Sequence, residues 1–440
     1  MSPPAVPPRR ILVVCQHYWP ESFRITDLVS YFVERGVEVD VLCGLPNYPS
    51  GEFSPGFGYR GPYRQRHEGA DILRVPEIRR GDNSNARIGL NFLSFPAFSL
   101  LRVPQLARRR YDAVFAYQLS PVMMSIAAVV VARLKHVPLT MYVLDLWPEN
   151  LFSVIPLENG PARRLLTRHS HWYYRRADRL VALSSRMAER LAEVTSHRRD
   201  DIRVLPQACE KLYETTIPDA ELETRFAGTF RVVFTGNISP AQSFGTMVEA
   251  ARLLVERGFA DVRWVIVGDG MSRAEAEESV RRAGVAESFS FEGMVPMEDV
   301  PRYTHLADVL VGCLVTSELL EATVPAKVFS YIASGRPVVL AMDGEVKELI
   351  EDRIGCGFVG PTEDAATLAE NIARIHALTT AERRELGESA RRYHHAHLSR
   401  DLILAELYDI VLGPEEGGSS PDGDLEPATG AAPAPAASTG

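Results

Sequence analysis

Lysine is nearly missing from this chain. Only Lys135, Lys211, Lys327 and Lys347 stand among its 48 lysines and arginines. The arginine excess runs along the whole sequence, so it is a compositional bias rather than a site. Acid outweighs base, for a formal net charge of −9. That argues against nucleic acid as a partner, since proteins that bind the phosphate backbone are usually basic. Cysteine is sparse and scattered: Cys15, Cys43, Cys209, Cys313 and Cys356 form no CxxC pair and no metal-ligand spacing. Most lie in apolar runs, as expected of reduced core thiols in a cytoplasmic protein. No GxGxxG follows the first strand pattern, which weakens a dinucleotide-binding reading.

Long apolar runs are absent as well. The first, after Arg10, stops at Gln16 with no small-residue cleavage site behind it. The uncharged stretch 113–132 approaches spanning length. It is broken by "YQLSP", read as strand, turn and a helix that Ser120 caps with Pro121 at its first position. No transmembrane helix is expected.

What is present is a rhythm. Apolar, β-branched runs such as "RILVVCQ", "VEVDVLCG", "DILRVPE", "DAVFAYQ", "PLTMYVLDL", "RLVALS" and "IRVLP" alternate with amphipathic stretches over Phe23–Arg35, Val122–Lys135 and Pro161–Arg176. The pattern restarts with "RVVFTGN", "VRWVIVGDG", "SFSFEG", "ADVLVGC", "RPVVLAM" and "GCGFVG". Continuous apolar strands separated by helices imply parallel sheets covered on both faces. The expected α/β architecture is two Rossmann-like, doubly wound domains facing across a cleft. The boundaries are a disordered N-terminus (1–8), a first domain (9–206), a linker (207–228), a second domain (229–396), a helix crossing back (397–412) and a disordered tail (413–440).

In such sheets ligands bind at the carboxyl ends of strands. After the first strand, Glu21, Ser22 and Arg24 enter a helix whose amides could face a phosphate or an acceptor; equally, Ser22 caps that helix and Arg24 faces solvent. After "PLTMYVLDL", Asp145, Trp147 and Glu149 suit sugar recognition, with carboxylates taking hydroxyl hydrogens and an indole covering an apolar sugar face. The alternative is a capped turn with a buried tryptophan. In the second half, Gly236, Asn237 and Gln242 lie between a strand and a helix, where backbone can approach a ligand. Gly268 and Gly270 repeat the arrangement, there more simply as turn residues. In "TVPAKVFSYIASGRPVVLAMDGE", Pro325 starts a helix and Lys327 sits in its first turn, against the helix dipole. A diphosphate there would compensate, with Thr323 and Glu345 bracketing a sugar or ribose.

Taken in order, "QHYWPESFRITDL", "GLPNYPSGEF", "VLDLWPEN", "FTGNISPAQSF", "VGDG" and "VPAKVFSYIASGRPVVLAMDGE" resemble the GT-B retaining glycosyltransferases of family 4, to about residue 412. The chain is most similar to the amino-sugar or fucosamine transferases of bacterial surface-polysaccharide assembly. The resemblance implies a nucleotide-diphosphate sugar, UDP favoured, held by the second domain, and a glycan or polyprenyl-linked glycan acceptor on the first. It implies no metal, no cofactor, and a leaving phosphate that takes the acceptor's proton. By position, Lys327, Asp145 and Glu149 would serve catalysis. Gly236, Asn237, Gln242, Gly268, Gly270, Met294, Val295, Thr323, Pro325, Ser330 and Glu345 would serve the donor. Glu21, Ser22, Arg24, Asn47, Tyr117 and Trp147 would serve the acceptor. Asn237 and Phe244 replace basic residues common in the family, Tyr117 replaces a histidine, and Ala322 and Ser330 stand where paired glutamates are familiar.

Residues 87–110, apolar and aromatic with basic ends, read either as a core helix or as a surface docking on the anionic inner membrane face. Two other functions share the expected architecture: a nucleotide-sugar epimerase, and a non-catalytic donor-binding assembly partner.

Overall fold

The computed structural model describes residues 8–82, 84–154, 160–215, 217–317 and 324–414. The segment up to residue 7 and the tail from 415, both expected as disordered, lie outside the described residues, as do Thr323 and the stretch with Glu321 and Ala322. The chain divides into two compact units. One holds the residues up to Pro206 together with those from Leu404 onward, and the other runs from Gln207 to Ile403.

The first unit is built on β1 (Arg10–Val14), β2 (Glu38–Gly44), β3 (Arg64–His67), β4 (Ala70–Val75), β5 (Ala113–Gln118), β6 (Leu139–Val143), β7 (Arg179–Ala182) and β8 (Arg203–Val204). Their order is β3-β4-β2-β1-β5-β6-β7-β8. All neighbours are parallel except β3, which pairs antiparallel with β4. Strand β3, "RQRH", has no apolar alternation to announce it. A two-residue turn at Glu68 (φ 44°) and Gly69 (φ 81°) makes it, the conformation that returns a hairpin on itself. A short, charged edge strand also discourages pairing with other chains.

The second unit carries β9 (Phe230–Thr235), β10 (Val262–Val267), β11 (Phe289–Gly293), β12 (Val309–Cys313), β13 (Val338–Ala341) and β14 (Gly357–Gly360). The order β11-β10-β9-β12-β13-β14 is parallel throughout. Alternate strand residues feed two separate cores, Val232 and Phe234 into one and Val233 into the other. A sheet covered on both faces needs this near-continuous apolar content.

Segment 207–228, expected as a linker, is built into the second unit. Asp219 caps the helix Ala220–Arg225 by accepting from the amides of Glu221 and Leu222. Leu222 on that helix and Phe226 at its C-terminal cap bury in the unit's core. The polar residues around them hid the periodicity. Helix Arg400–Leu412 returns to the first unit, where Tyr408 stacks on Phe32 at 5.4 Å and Arg9 donates to the Leu412 carbonyl at 3.0 Å.

Two local expectations are corrected. Pro121 (φ −89°, ψ 156°) is itself the cap position of a short 3-10 turn over Val122–Ser125, and Ser120 makes no capping bond. The helix after β1 runs Ile25–Glu34 with Arg24 at its cap position, so Ser22, exposed and two residues earlier, does not cap it.

Candidate functional site

In the second unit the strand order reverses between β9 and β12, the position where open α/β sheets bind ligands. The helix Ala326–Ser334 follows β12, with Pro325 at its cap position (φ −59°, ψ 139°) rather than inside it. Tyr331 fixes this helix. Its hydroxyl receives the amide of Thr235 at 3.0 Å and donates to the carbonyl of Val311 at 3.2 Å, joining the ends of β9 and β12. Lys327 lies one turn earlier on the same face, so anchoring Tyr331 places Lys327 at those strand ends. Its stem passes Gly312, where an added Cβ would come within 3.8 Å of its Cδ.

The ammonium of Lys327 donates to Gln242 Oε1 and lies 4.1 Å from the centre of the Phe234 ring. Gly236 (φ 135°) is next to it, and a Cβ there would meet Nζ at 3.2 Å. The residue as a whole is half-buried, but its charged end is enclosed by these groups. Burial therefore pushes the ammonium down to about 7. No carboxylate pairs with Lys327 among the described residues. An ammonium with no carboxylate partner among the described residues, beside exposed Gly236 and Asn237 and a helix's first turn, is an arrangement that suits an anion.

The other expected donor residues fall around it unevenly. Gly268 and Gly270 are required by close packing of two loops. A Cβ on Gly268 would meet Gly236 O at 2.0 Å, and one on Gly270 would meet Ile238 O at 2.2 Å. Met294 is exposed and Val295 half-buried, directly after β11. Glu345 is half-buried after β13. Ser330 does not face this site: it is buried, with its hydroxyl 3.9 Å from Cys209 Sγ.

In the first unit, the ends of β1, β2 and β4 enclose a polar network that the sequence reading caught only at Glu21 and Asn47. Glu21 Oε1 accepts from the amides of Asn47 and Tyr48, each at 2.7 Å, and its Oε2 lies 2.9 Å from His17 Nδ1. Asn47 Nδ2 donates to Glu77 Oε1, and Gln16 Nε2 reaches Glu77 Oε2 at 3.2 Å. Asn91 accepts from Gln16 Nε2 at 2.9 Å. Burial, with the Glu21 carboxylate nearby, pushes Glu77 up to about 8. Gln16, His17 and Glu77 were legible only as polar residues just past apolar strands.

Arg24 is half-buried near Tyr142, and Tyr117 is buried in β5 with its ring 6.0 Å from Tyr142. Asp145, Trp147 and Glu149 do follow β6. Asp145 Oδ2 accepts from the Ser120 amide at 2.9 Å. Trp147 is 4% exposed and donates through Nε1 to Ser120 Oγ at 2.8 Å, so its indole supports the loop instead of covering a sugar. Glu149 Oε1 accepts from Arg190 Nε at 3.0 Å, while its Oε2 is buried without a hydrogen-bond partner among the described residues.

Residues 22–208 match the family description "Glycosyl transferase 4-like domain", and residues 229–377 match "Glycosyl transferases group 1". A 2-deoxystreptamine N-acetyl-D-glucosaminyltransferase of Streptomyces fradiae is 27% identical over 429 residues, spanning 92% of this chain and 96% of the relative. A 2-deoxystreptamine glucosyltransferase of Streptomyces kanamyceticus is 27% identical over 375 residues, 81% of this chain and 94% of the relative. Among solved structures, HepE of Anabaena in complex with UDP superposes with a TM-score of 0.68 at 15% identity, covering 91% of this chain and 98% of that one. WaaG, a glycosyltransferase involved in lipopolysaccharide biosynthesis, gives a TM-score of 0.65 at 16% identity, covering 92% and 100%.

Proposed function

Since the chain belongs to the GT-B glycosyltransferases, with a GT4-like first domain and a group 1 second domain, we propose that it moves a sugar from UDP to a glycan or lipid-linked glycan with retention of anomeric configuration. The observation that carries this reading is the enclosed Lys327 ammonium at the switch point of the second unit, with no carboxylate partner among the described residues. In this reading the diphosphate takes the place of that partner. Lys327, the Gly236–Asn237 backbone and the first amides of helix Ala326–Ser334 neutralise the charge that grows as the leaving group departs. No metal and no resident cofactor take part, and the leaving phosphate accepts the acceptor's proton. UDP is preferred because HepE, of the same fold, was solved with it.

The acceptor belongs to the first unit. Glu21 and Asn47 shape its floor, and Asp145 and Glu149 offer carboxylate oxygens to hydroxyls. Within the family we place the chain with the amino-sugar (fucosamine) transferases. A second acceptor class, the aminocyclitols, is favoured by the names of the two Streptomyces relatives, and Glu149 Oε2, without a hydrogen-bond partner among the described residues, suits an amine. Both acceptors are preferred over epimerisation of a free nucleotide sugar and over a non-catalytic role in assembly.

Thermal shift of the purified protein with UDP, GDP, dTDP, ADP and NAD tests the donor class. A shift with UDP and none with NAD is expected. Stability unchanged by every diphosphate would remove the basis of the reading.

A further inference from the structure

The opposite edge of the second sheet gathers positive charge that the Lys327 site does not use. Arg231 is the second residue of β9, Asp308 immediately precedes β12, and Arg336 stands two residues before β13. Helix Thr380–Tyr393 adds Arg383 and Arg391. The six residues of β9 put roughly 15–20 Å between this edge and Lys327. Asp308 is the one carboxylate within ion-pair reach of the four arginines among the described residues. It takes Arg231 Nε at 2.8 Å and Arg383 Nε at 3.9 Å, which leaves Arg336 and Arg391 with none.

Three helices account for part of the cluster. Val300–Leu306, Ala326–Ser334 and Ala365–Ala377 all end at this edge, and the last carbonyls of a helix carry partial negative charge. Arg336 Nη2 donates to the His305 carbonyl, Arg391 Nη2 to that of Ser334 at 3.4 Å, and Arg383 Nη1 to that of Leu378 at 2.6 Å. Each bond uses one nitrogen of its guanidinium. Nε and Nη1 of Arg336 and of Arg391 meet no acceptor among the described residues, and Arg391 Nε is buried in that state.

Close packing holds the two arginines together. A Cβ on Gly387 would meet the Gly335 carbonyl oxygen at 2.2 Å, and one on Gly335 would meet Arg391 Nε at 2.8 Å. Helix Thr380–Tyr393 therefore lies directly on the Ser334–Arg336 turn. His305 registers the resulting field. Its Nδ1 is 3.2 Å from Arg336 Nη2, and burial, followed by Arg336, Arg391 and Arg231, pushes the ring down to about 4. Beyond Asp308, Glu223 is the one further acid felt at Arg336. Two half-buried guanidiniums, short of carboxylates and with donors to spare, suit a compact oxyanion that each fork can meet with paired N–H bonds. Chloride has no oxygens for those forks, and nucleic acid is disfavoured by the net charge of −9.

We propose that Arg336 and Arg391, backed by Arg231, bind a phosphate group at the amino-terminal edge of the second sheet, as inorganic phosphate or a phosphate monoester. This second anion site is separate from the donor site and does not rest on the transferase reading. One helix joins the two, since Ala326–Ser334 carries Lys327 in its first turn and has its last carbonyl held by Arg391.

The test follows the His305 ring by NMR in the full chain with labelled histidine, its signal assigned by its loss in His305→Gln. Inorganic phosphate near pH 7.5 should shift that signal saturably, and sodium chloride at matched ionic strength should not. Calorimetry on Lys327→Ala, which removes the phosphate contact proposed at the donor site, should give a single phosphate per chain. Adding Arg336→Gln with Arg391→Gln should weaken it by about tenfold or more. UDP binding to a chain with the arginine changes alone should stay at the wild-type level, which separates this site from the donor site. Glucose 6-phosphate distinguishes the two sources: tighter binding than phosphate makes an ester the ligand, and equal or weaker binding makes it inorganic phosphate. Absence of a saturable His305 shift in the wild type overturns the proposal, whether or not the variants fold. So does phosphate affinity indifferent to the arginine changes.

Discussion

Lys327 donates its ammonium proton to Gln242 Oε1, across 85 residues of sequence, with the Phe234 ring as its other wall. An amide oxygen and a ring face are weak partners for an enclosed charge, and burial accordingly drives the group down to about 7. If the proposed diphosphate meets this ammonium, the site's proton count depends on whether it is bound.

Between about 7 and 10.5 the unfolded chain binds the Lys327 proton more tightly than the folded one. Stability from this group therefore rises with pH across that window, and is least below it. In the proposed reading a bound diphosphate would reverse the shift by placing an anion beside Lys327. Titration calorimetry with UDP near pH 8, repeated in buffers of different ionisation enthalpy, should show net proton uptake. Identical heats in all buffers would mean that Lys327 does not meet the phosphates.

Gly236→Ala should damage the same site through backbone. At φ 135° an L residue is strained, and its Cβ would press on Lys327 Nζ at 3.2 Å. We expect at least tenfold weaker UDP binding and a stability loss of about 1–3 kcal/mol. Wild-type affinity from a folded variant would show that the loop does not approach the ligand.

Glu77 behaves in the opposite sense. From about 4.5 to about 8 the folded chain keeps a proton that the unfolded chain gives up. Stability of the first unit thus falls as pH rises through that window, by up to about 1.4 kcal/mol per pH unit. Glu77→Gln should flatten the slope, measured by hydrogen exchange in β1 and β2 over a pH series. A slope unchanged in the variant would place the titrating group elsewhere.

Asp145→Asn tests the division of labour between units. Asparagine can still accept the Ser120 amide through its oxygen, so the loop should survive. The expected result is a raised KM for acceptor with donor affinity unchanged. Loss of UDP binding instead would put Asp145 on the donor side.

Much of the fold was legible because buried parallel strands must be continuously apolar, and thirteen of the fourteen strands fall on such runs. The exception is β3, whose turn at Glu68–Gly69 fixes it where its side chains do not. Lys327 stood out because lysine is rare and disfavoured at a helix start. Trp147 misled, because composition cannot show which way an indole points, and here it supports Ser120. Gln16, His17, Glu77 and Asn91 were invisible as a group, since only the order of β4, β2 and β1 brings them together. Residues 87–110 were legible as apolar, but which face of the helix Asn85–Leu100 packs inward was decided by the polar contacts of Asn91 and Ser94.

The most direct measurement compares UDP affinity and sugar transfer in the wild type and in Lys327→Ala, with circular dichroism to confirm that the variant is folded. The account predicts transfer reduced by roughly a hundredfold or more, weaker UDP binding, and loss of the proton uptake seen with the wild type. Full transfer by a folded Lys327→Ala protein would contradict it.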